Sequence, residues 1–307
     1  MWDVLGMGCI AVDELIYVEH YPVPDTKMPA QEVGRQGGGN TANALVAAVR
    51  QGASAAYSAG LGADALSTYS RHELEQEGID CSPCRVVDGG KPFHSFIIAE
   101  QAAHTRTIVY ETGQIAPPPE IVAEVMGQCR VLMIDHYTGE VGCQAVRLAL
   151  ERGVPVVADV EVETAPGAAE MLDKADHLIV GRALAARVTG TTDFPEMLRA
   201  LARPHRVCCA ITAGEAGCWF AERGGPAQFQ AAFPVAVVDS TGCGDVFHGV
   251  YAAAVARGEG LARAIEAASA AAAIKATHPG ARAGIPSRAQ VDKFLQDRPG
   301  SKRSNLD

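Results

Sequence analysis

The chain has 307 residues, 48% of them hydrophobic, and a formal net charge of −10 at pH 7. That length buries one large core or two smaller ones, and the acidic balance argues against a nucleic-acid partner, which needs a basic surface to neutralise phosphates. No apolar run approaches ~20 residues, so no membrane partner is expected through a spanning helix. The N-terminal MWDVLGMGCIAVDE lacks the basic n-region of a secretory signal. Nine cysteines, an odd number scattered mostly through apolar segments, fit reduced core thiols in a cytoplasm.

In chain order, the first motif is Gly6-Met7-Gly8-Cys9-Ile10-Ala11, after a short strand. It matches the dinucleotide pattern GxGxxA, which raises a nicotinamide oxidoreductase as one reading. The following Val12–Val18 reads as a strand, where a dinucleotide fold needs a helix. Asp13 is better placed as a carboxylate at a strand's end, suited to sugar hydroxyls. The stretches 14–36 and 91–113 look extended and alternating, and predict a small antiparallel sheet inserted as a lid. Between them, Gly37-Gly38-Gly39-Asn40-Thr41-Ala42-Asn43 leads into the alanine-rich ALVAAVRQG. Three glycines suit either a close ligand or a tight turn with an Asn cap, and both readings stay open. Cys81 and Cys84 form a CxxC with no second pair or histidines at ligand spacing, so a structural role is expected.

Short apolar runs then alternate with helical segments: VLMID at 131–135, VPVVAD at 154–159, HLIV at 177–180 and VCCAIT at 207–212. Such runs read as strands buried on both faces, which predicts an α/β protein with a mostly parallel sheet covered by helices on both sides. Ligands then bind beyond the C-terminal strand ends. The stretch DSTGCGDVFHGVYAAAVARG at 239–258 is a polar, glycine-bearing turn opening a buried helix, a way of presenting backbone N–H groups to an anion. Asp245 beside it is either a general base for a hydroxyl attacking phosphorus or a favourable first-turn acid; spacing does not separate the two.

DSTGCGDVFHG is similar to the C-terminal signature of the ribokinase/PfkB carbohydrate kinase family, and GGGNTANALVAAVRQGA resembles its N-terminal signature. The likeness covers nearly the whole chain, including ITAGEAG and KATHPGARAGIP. It implies one three-layer, doubly wound α/β domain over residues 1–297 with a β lid, and a flexible tail at 298–307. It also implies ATP as donor, Mg²⁺, transfer of the γ-phosphoryl to a sugar hydroxyl, and a homodimer formed through the lid. By resemblance, Asp245 is the catalytic base, and the N–H groups of Gly242, Cys243 and Gly244 form the anion hole. Asp13, Gly38, Gly39 and Asn43 match sugar-binding positions. Thr212, Gly214 and Gly217 match the turn over the nucleotide phosphates, and Ser269 lies where the family lines the adenine pocket. Asp239, Thr241 and Gly280 match positions that some members use for a monovalent cation such as K⁺.

Two departures stand out. Gly181-Arg182-Ala183-Leu184 occupies the place of the family's Asn-x-x-Glu motif, and Ala11 stands where ribokinases carry Asn. The likeness is nearest to fructokinase, ketohexokinase and sulfosugar kinase branches. Lys27, Arg35, His94, Arg106 and Tyr110 lie in or near the lid, and Lys27 with Arg106 would suit an anionic sugar substituent. The function expected is phosphorylation of a ketose or related sugar, including a sugar acid or sulfosugar. A nucleoside kinase of the same family and a non-catalytic sugar sensor on a kinase fold are the other readings.

Overall fold

The computed structural model describes residues 1–103, 105–298 and 303–305. In chain order, β1 (Trp2–Met7), β2 (Ala11–Val18) and β3 (Glu32–Gly38) lead into α1 (Asn40–Arg50). Next come β4 (Ala55–Tyr57), β5 (Gly60–Leu61), α2 (Ala65–Gln76), β6 (Arg85–Val86), β7 (Phe93–Glu100) and β8 (Thr105–Glu111). The alternating half follows: α3 (Pro119–Val125), β9 (Cys129–Asp135), α4 (Gly139–Glu151), β10 (Val156–Asp159), α5 (Ala168–Lys174), β11 (His177–Gly181), α6 (Arg182–Thr189), α7 (Phe194–Leu201) and β12 (Cys208–Thr212). The chain closes with β13 (Cys218–Glu222), β14 (Gln228–Gln230), α8 (Cys243–Ala256), α9 (Leu261–Ala276), α10 (Arg288–Gln296) and β15 (Arg303–Asn305).

The main sheet runs β15-β14-β13-β12-β11-β10-β9-β1-β4. It is parallel from β4 to β12, and β13, β14 and β15 add an antiparallel edge. Alternate residues of one strand feed different cores. Val131 and Met133 of β9 pack under α1, α8 and α9, whereas Leu132 and Ile134 pack under α3, α4 and α5. This double burial is why the strands are continuous apolar runs. Helices α1 and α8 are buried almost all round and lie against each other. Small side chains allow that approach, since a Cβ at Gly249 would stand 1.9 Å from the Ala44 carbonyl oxygen.

The lid is a separate sheet in the order β3-β2-β7-β8. Its central pair β2–β7 is parallel, with antiparallel partners outside it, so the sheet is mixed where the sequence suggests antiparallel hairpins. Local alternation marks the strands, but a parallel pairing is made by distant segments and leaves no local turn signal. Asp13 lies inside β2, whose first residue is Ala11, so the lid begins earlier than expected and Asp13 is not at a strand end. Because β2 follows the Gly6–Ala11 turn directly, the helix that a dinucleotide fold requires there is replaced by a strand. Of the tail expected to be flexible, Arg303–Asn305 pair with β14, while 299–302 and 306–307 lie outside the described residues. All nine cysteines are free. Cys84 Sγ donates to the Tyr57 carbonyl at 3.3 Å, and the bond to Cys84 together with burial pushes the Cys81 thiol far up. Among the described residues, no helix is long and apolar enough to cross a membrane.

Candidate active site

Buried Asp135, the last residue of β9, organises the floor of the site. Its Oδ2 accepts from Cys9 N at 2.6 Å and Thr41 Oγ1 at 2.7 Å, and its Oδ1 accepts from Tyr137 N at 3.0 Å. The β1–β2 turn is thus tied to the first turn of α1. Burial pushes the Asp135 carboxyl up to about 7 against these bonds. The turn leaves no room for a side chain at Gly8, whose Cβ would lie 2.0 Å from Thr41 Oγ1.

Gly39 enters α1 at φ 97, and a Cβ there would meet the Cys9 carbonyl oxygen at 2.5 Å. That combination requires glycine. Asp13 lies directly over the next glycine back, since a Cβ on Gly38 would stand 2.2 Å from its Oδ2. Burial raises the Asp13 carboxyl, while Ser95, Arg282 and Gln36 oppose the rise. Asn43 Nδ2 donates to Asp245 Oδ2 at 2.8 Å, and Arg282 Nε donates to Asn43 Oδ1 at 2.8 Å. Arg282 Nη2 also reaches the Gly38 carbonyl at 3.1 Å. A buried guanidinium therefore fixes which way Asn43 turns, so that its amide N–H faces Asp245.

The second wall is the start of α8. Gly242 sits at φ 76 as the residue before the helix, which has no side-chain cap. Cys243 N is engaged by the Ser240 carbonyl at 3.2 Å. The N–H groups of Gly242, Gly244 and Asp245 have no partner among the described residues. Of the three N–H groups expected in the anion hole, Cys243 is thus tied into the turn, and Asp245 N joins the free ones. Partnerless N–H groups at the positive end of a helix fit a phosphate.

Asp245 is half-buried at this mouth. Burial pushes its carboxyl up to about 7, Asp159 and Glu161 add to the push, and the Asn43 bond and His248 pull against it. Asp159, at the end of β10, accepts from Asn40 Nδ2 at 3.3 Å and lies 3.7 Å from His248 Nε2. Desolvation and Asp159 raise the carboxyl of Glu161, and Asn40 bonds to it. The sequence reading missed Asp135, Asp159, Glu161, His248, Lys275 and Arg282. Two of them, Asp135 and Asp159, close the apolar runs VLMID and VPVVAD at parallel-strand ends, and that position was the available signal.

Asp239, Thr241 and Gly280 do meet. Asp239 Oδ1 accepts from Thr241 N at 2.8 Å and Thr241 Oγ1 at 2.6 Å, and Oδ2 accepts from Gly280 N at 2.9 Å. Two side-chain cations join them. Arg106 Nη1 reaches Asp239 Oδ1 at 2.9 Å and also bonds Thr241 Oγ1, and fully buried Lys275 donates from Nζ to the Asp239 carbonyl at 2.8 Å. Against the upward push of burial, the Thr241 bonds and Lys275 hold the Asp239 carboxyl below its ordinary value. Arg106 is therefore a bridge from lid strand β8 to the anion turn. Lys27 stands exposed on the β2–β3 loop with no bond to the cluster. Arg35 and His94 both bond Glu14; strand alternation puts all three on the lid face opposite Asp13. Tyr110 pairs with Ser95, on the face of Asp13.

Thr212 ends β12 and is followed by a 3-10 turn opening at Gly214, φ 56. Gly217 closes that turn at φ 90, where a Cβ would meet the Gln230 carbonyl at 2.5 Å. Ser269 is half-buried on α9, the helix that receives the Cys243 Sγ bond through the Ala272 carbonyl at 3.5 Å. In the Gly181–Leu184 segment, Leu184 is a core residue 2% exposed, so this position supplies no carboxylate to the cleft. Among the described residues, no group of three or more His, Cys, Asp and Glu forms a metal cage. Asp159 and Glu161 instead offer the cleft a carboxylate pair, a donor set fitting a cation that keeps most of its ligands from water and phosphate.

Comparison with known proteins places this geometry in a wider group. A model of the pfkB family carbohydrate kinases matches residues 7–288. The chain is similar to the ribokinase of Haemophilus influenzae, 28% identical over 303 residues, which cover 94% of this chain and 97% of the relative. Among solved structures, that of Arabidopsis thaliana ribokinase complexed with ribose and ATP superposes with a TM-score of 0.84 at 23% identity, covering 96% of this chain and 99% of the other. The ribokinase of Thermotoga maritima gives a TM-score of 0.83 at 22% identity, with coverage of 96% and 100%.

Proposed function

The chain belongs to the pfkB family of carbohydrate kinases, and from that membership we propose that it transfers the γ-phosphoryl of ATP to a hydroxyl of a neutral ketose, with Asp245 as general base. The observation that carries this reading is the partnerless N–H group of Gly244 beside Asp245, whose carboxylate is aimed by the 2.8 Å bond from Asn43. The acceptor hydroxyl lies between Asp13, Asn43 and Asp245, and Asp245 takes its proton as the oxygen attacks phosphorus. The free N–H groups of Gly242 and Gly244 stabilise charge on the phosphoryl oxygens. Thr212, Gly214 and Gly217 with Ser269 are the nucleotide side of the cleft. Mg²⁺, bound with ATP and faced by Asp159 and Glu161, supplies charge neutralisation on the phosphates.

The choice of a neutral acceptor rests on charge. Asp13, Asp159, Glu161 and Asp245 are the carboxylates around the cleft, Arg282 is buried and gives Nε to Asn43 and Nη2 to Gly38 with only Nη1 left unpartnered among the described residues, and Arg106 is engaged by Asp239 and Thr241. An anionic sugar would enter a field of its own sign. Ala11, buried and without a polar side-chain atom, supports a ketose over ribose, whereas the ribokinase relatives favour ribose. The test is ATP consumption with a panel of ketoses, ribose, nucleosides and sugar acids, run with and without potassium. Turnover of a neutral ketose is expected. Preference for ribose or for an acid overturns the acceptor assignment, and silence with bound ATP overturns the kinase reading. Arg106 and Lys275 at Asp239 support turnover without potassium in the same assay.

The lid supports a homodimer. Its face opposite Asp13 carries Val33, Phe96 and Val109, 68%, 44% and 63% exposed, beside the Glu14, Arg35 and His94 cluster, and a mixed apolar and charged face of this kind suits a second copy. The expected result is a dimer by light scattering that Phe96→Asp converts to a monomer. A monomeric wild type would dismiss the lid contact.

A further inference from the structure

Lys275 lies in the last turn of α9, and its side chain is fully buried. Among the described residues no carboxylate forms an ion pair with it; Asp239 turns its carboxylate to Arg106, Thr241 and Gly280. Main-chain carbonyl oxygens hold the ammonium instead. Nζ donates to Asp239 O at 2.8 Å and reaches toward His278 O at 3.5 Å. A buried charge without a counter-ion is costly to keep, so its position asks for a reason.

Three segments meet at this nitrogen. Val238 N and Asp239 N donate to the Ala276 carbonyl at the end of α9, at 2.8 and 3.1 Å, and Gly280 N donates to Asp239 Oδ2 at 2.9 Å. The turn at 278–281 also abuts the anion turn, since a Cβ on Gly242 would lie 3.0 Å from the Ala281 carbonyl oxygen. The ammonium thus joins the end of α9, the root of the anion turn and the 278–281 turn. Carbonyl oxygens are also what proteins offer potassium in place of water. This set nevertheless does not fit a free potassium ion. The oxygens of Asp239 already face Lys275 and Arg106, and a third positive charge among them would be repelled.

We infer that Lys275 is a tethered monovalent cation. Its ammonium takes the place of a free ion at Asp239 and holds the anion turn in the form that leaves the Gly242 and Gly244 N–H groups open. It is a positioning residue, acting on the phosphoryl group through that turn. Indifference to potassium is then the property of one side chain, and removing that side chain reverses it. The effect on rate rests on the kinase reading above, whereas the exclusion of potassium does not.

The test exchanges choline chloride for potassium or ammonium chloride at constant ionic strength. Melting temperature and turnover of the acceptor panel are followed for wild type, Lys275→Ala and Lys275→Gln. The wild type should respond to neither ion. Lys275→Ala vacates the carbonyl oxygens, so turnover in choline should fall roughly ten-fold, the scale of one charge-assisted hydrogen bond. Potassium or ammonium should restore most of that loss and raise the melting temperature of this variant. Lys275→Gln keeps a donor for the Asp239 carbonyl without the charge, and should lose turnover that neither ion restores. A wild type stabilised by potassium overturns the inference, as does a Lys275→Ala chain indifferent to both ions, or Lys275→Gln at wild-type turnover. The melting arm needs no acceptor: if no sugar is phosphorylated the kinase reading fails, and the response of Lys275→Ala to potassium still decides the role of Lys275. Should Lys275→Ala be unfolded in choline, folding regained in potassium or ammonium supports the tethered ion, and no folding in any of the three salts overturns it.

Discussion

Asp245→Asn lowers turnover by at least ~10²-fold, the lower end for removal of a general base, and raises the melting temperature of the same protein. Both results have one cause. The amide cannot take a proton from the acceptor hydroxyl, yet its oxygen can still accept the Asn43 Nδ2 bond that spans 2.8 Å in the wild type. Burial and Asp159 hold the Asp245 carboxyl up to about 7, above the ordinary 3.8. A group raised in the folded state favours folding below its unfolded value, and that contribution is lost as pH rises through its folded value. At pH 8 the charged carboxylate is thus a standing cost that asparagine removes, so the gain in melting temperature is larger at pH 8 than at pH 5. Steady-state kinetics and calorimetry at the two pH values read both effects. Near-wild-type turnover would remove Asp245 from the mechanism, and a lower melting temperature at pH 8 would contradict the strained carboxylate.

Gly249→Ala is the larger structural lesion. The added Cβ would sit 1.9 Å from the Ala44 carbonyl oxygen and 2.6 Å from its carbon. These are backbone atoms of α1, so no side chain can swing away and the two helices must part. Overpacking of this kind costs about 3 kcal/mol, the upper part of its usual range, or roughly 5 °C in melting temperature for a chain of this size. Because α1 carries Asn43 and α8 carries Asp245, turnover falls with stability. Gly34→Ala is the control: no atom lies within 4 Å of a Cβ there, and its effect stays within about 0.5 kcal/mol. Equal melting temperatures for the two variants would show that α1 and α8 are less closely packed than the geometry states.

The difference between what the chain announces and what it conceals follows from range. Asp245 is legible because a run of Asp, Ser, Thr and Gly breaks just before an all-apolar helix, a contrast contained in a dozen residues. The strands at 131–135 and 207–212 are legible because burial on both faces erases polar alternation. Arg282 is different. It fixes the Asn43 amide from the far end of the chain, and nothing near it in HPGARAGIP announces a partner. His248 looks like one more helix residue until β11 brings the Ile179 carbonyl to its ring. Arg106 stands out in the sequence for its charge, but its partner Asp239 belongs to the anion turn, a pairing across 133 residues that no local pattern announces.

The parallel pairing at the centre of the lid also bears on the order in which the molecule is made. Ala11 pairs with Phe93 and Val18 with Glu100, so β2 has no permanent neighbour on that side until a much later segment has left the ribosome. Loop-closure entropy delays contacts of this span relative to local ones. The lid should therefore be a late event in folding, completed on a body already assembled, and its amides should exchange together as one opening unit.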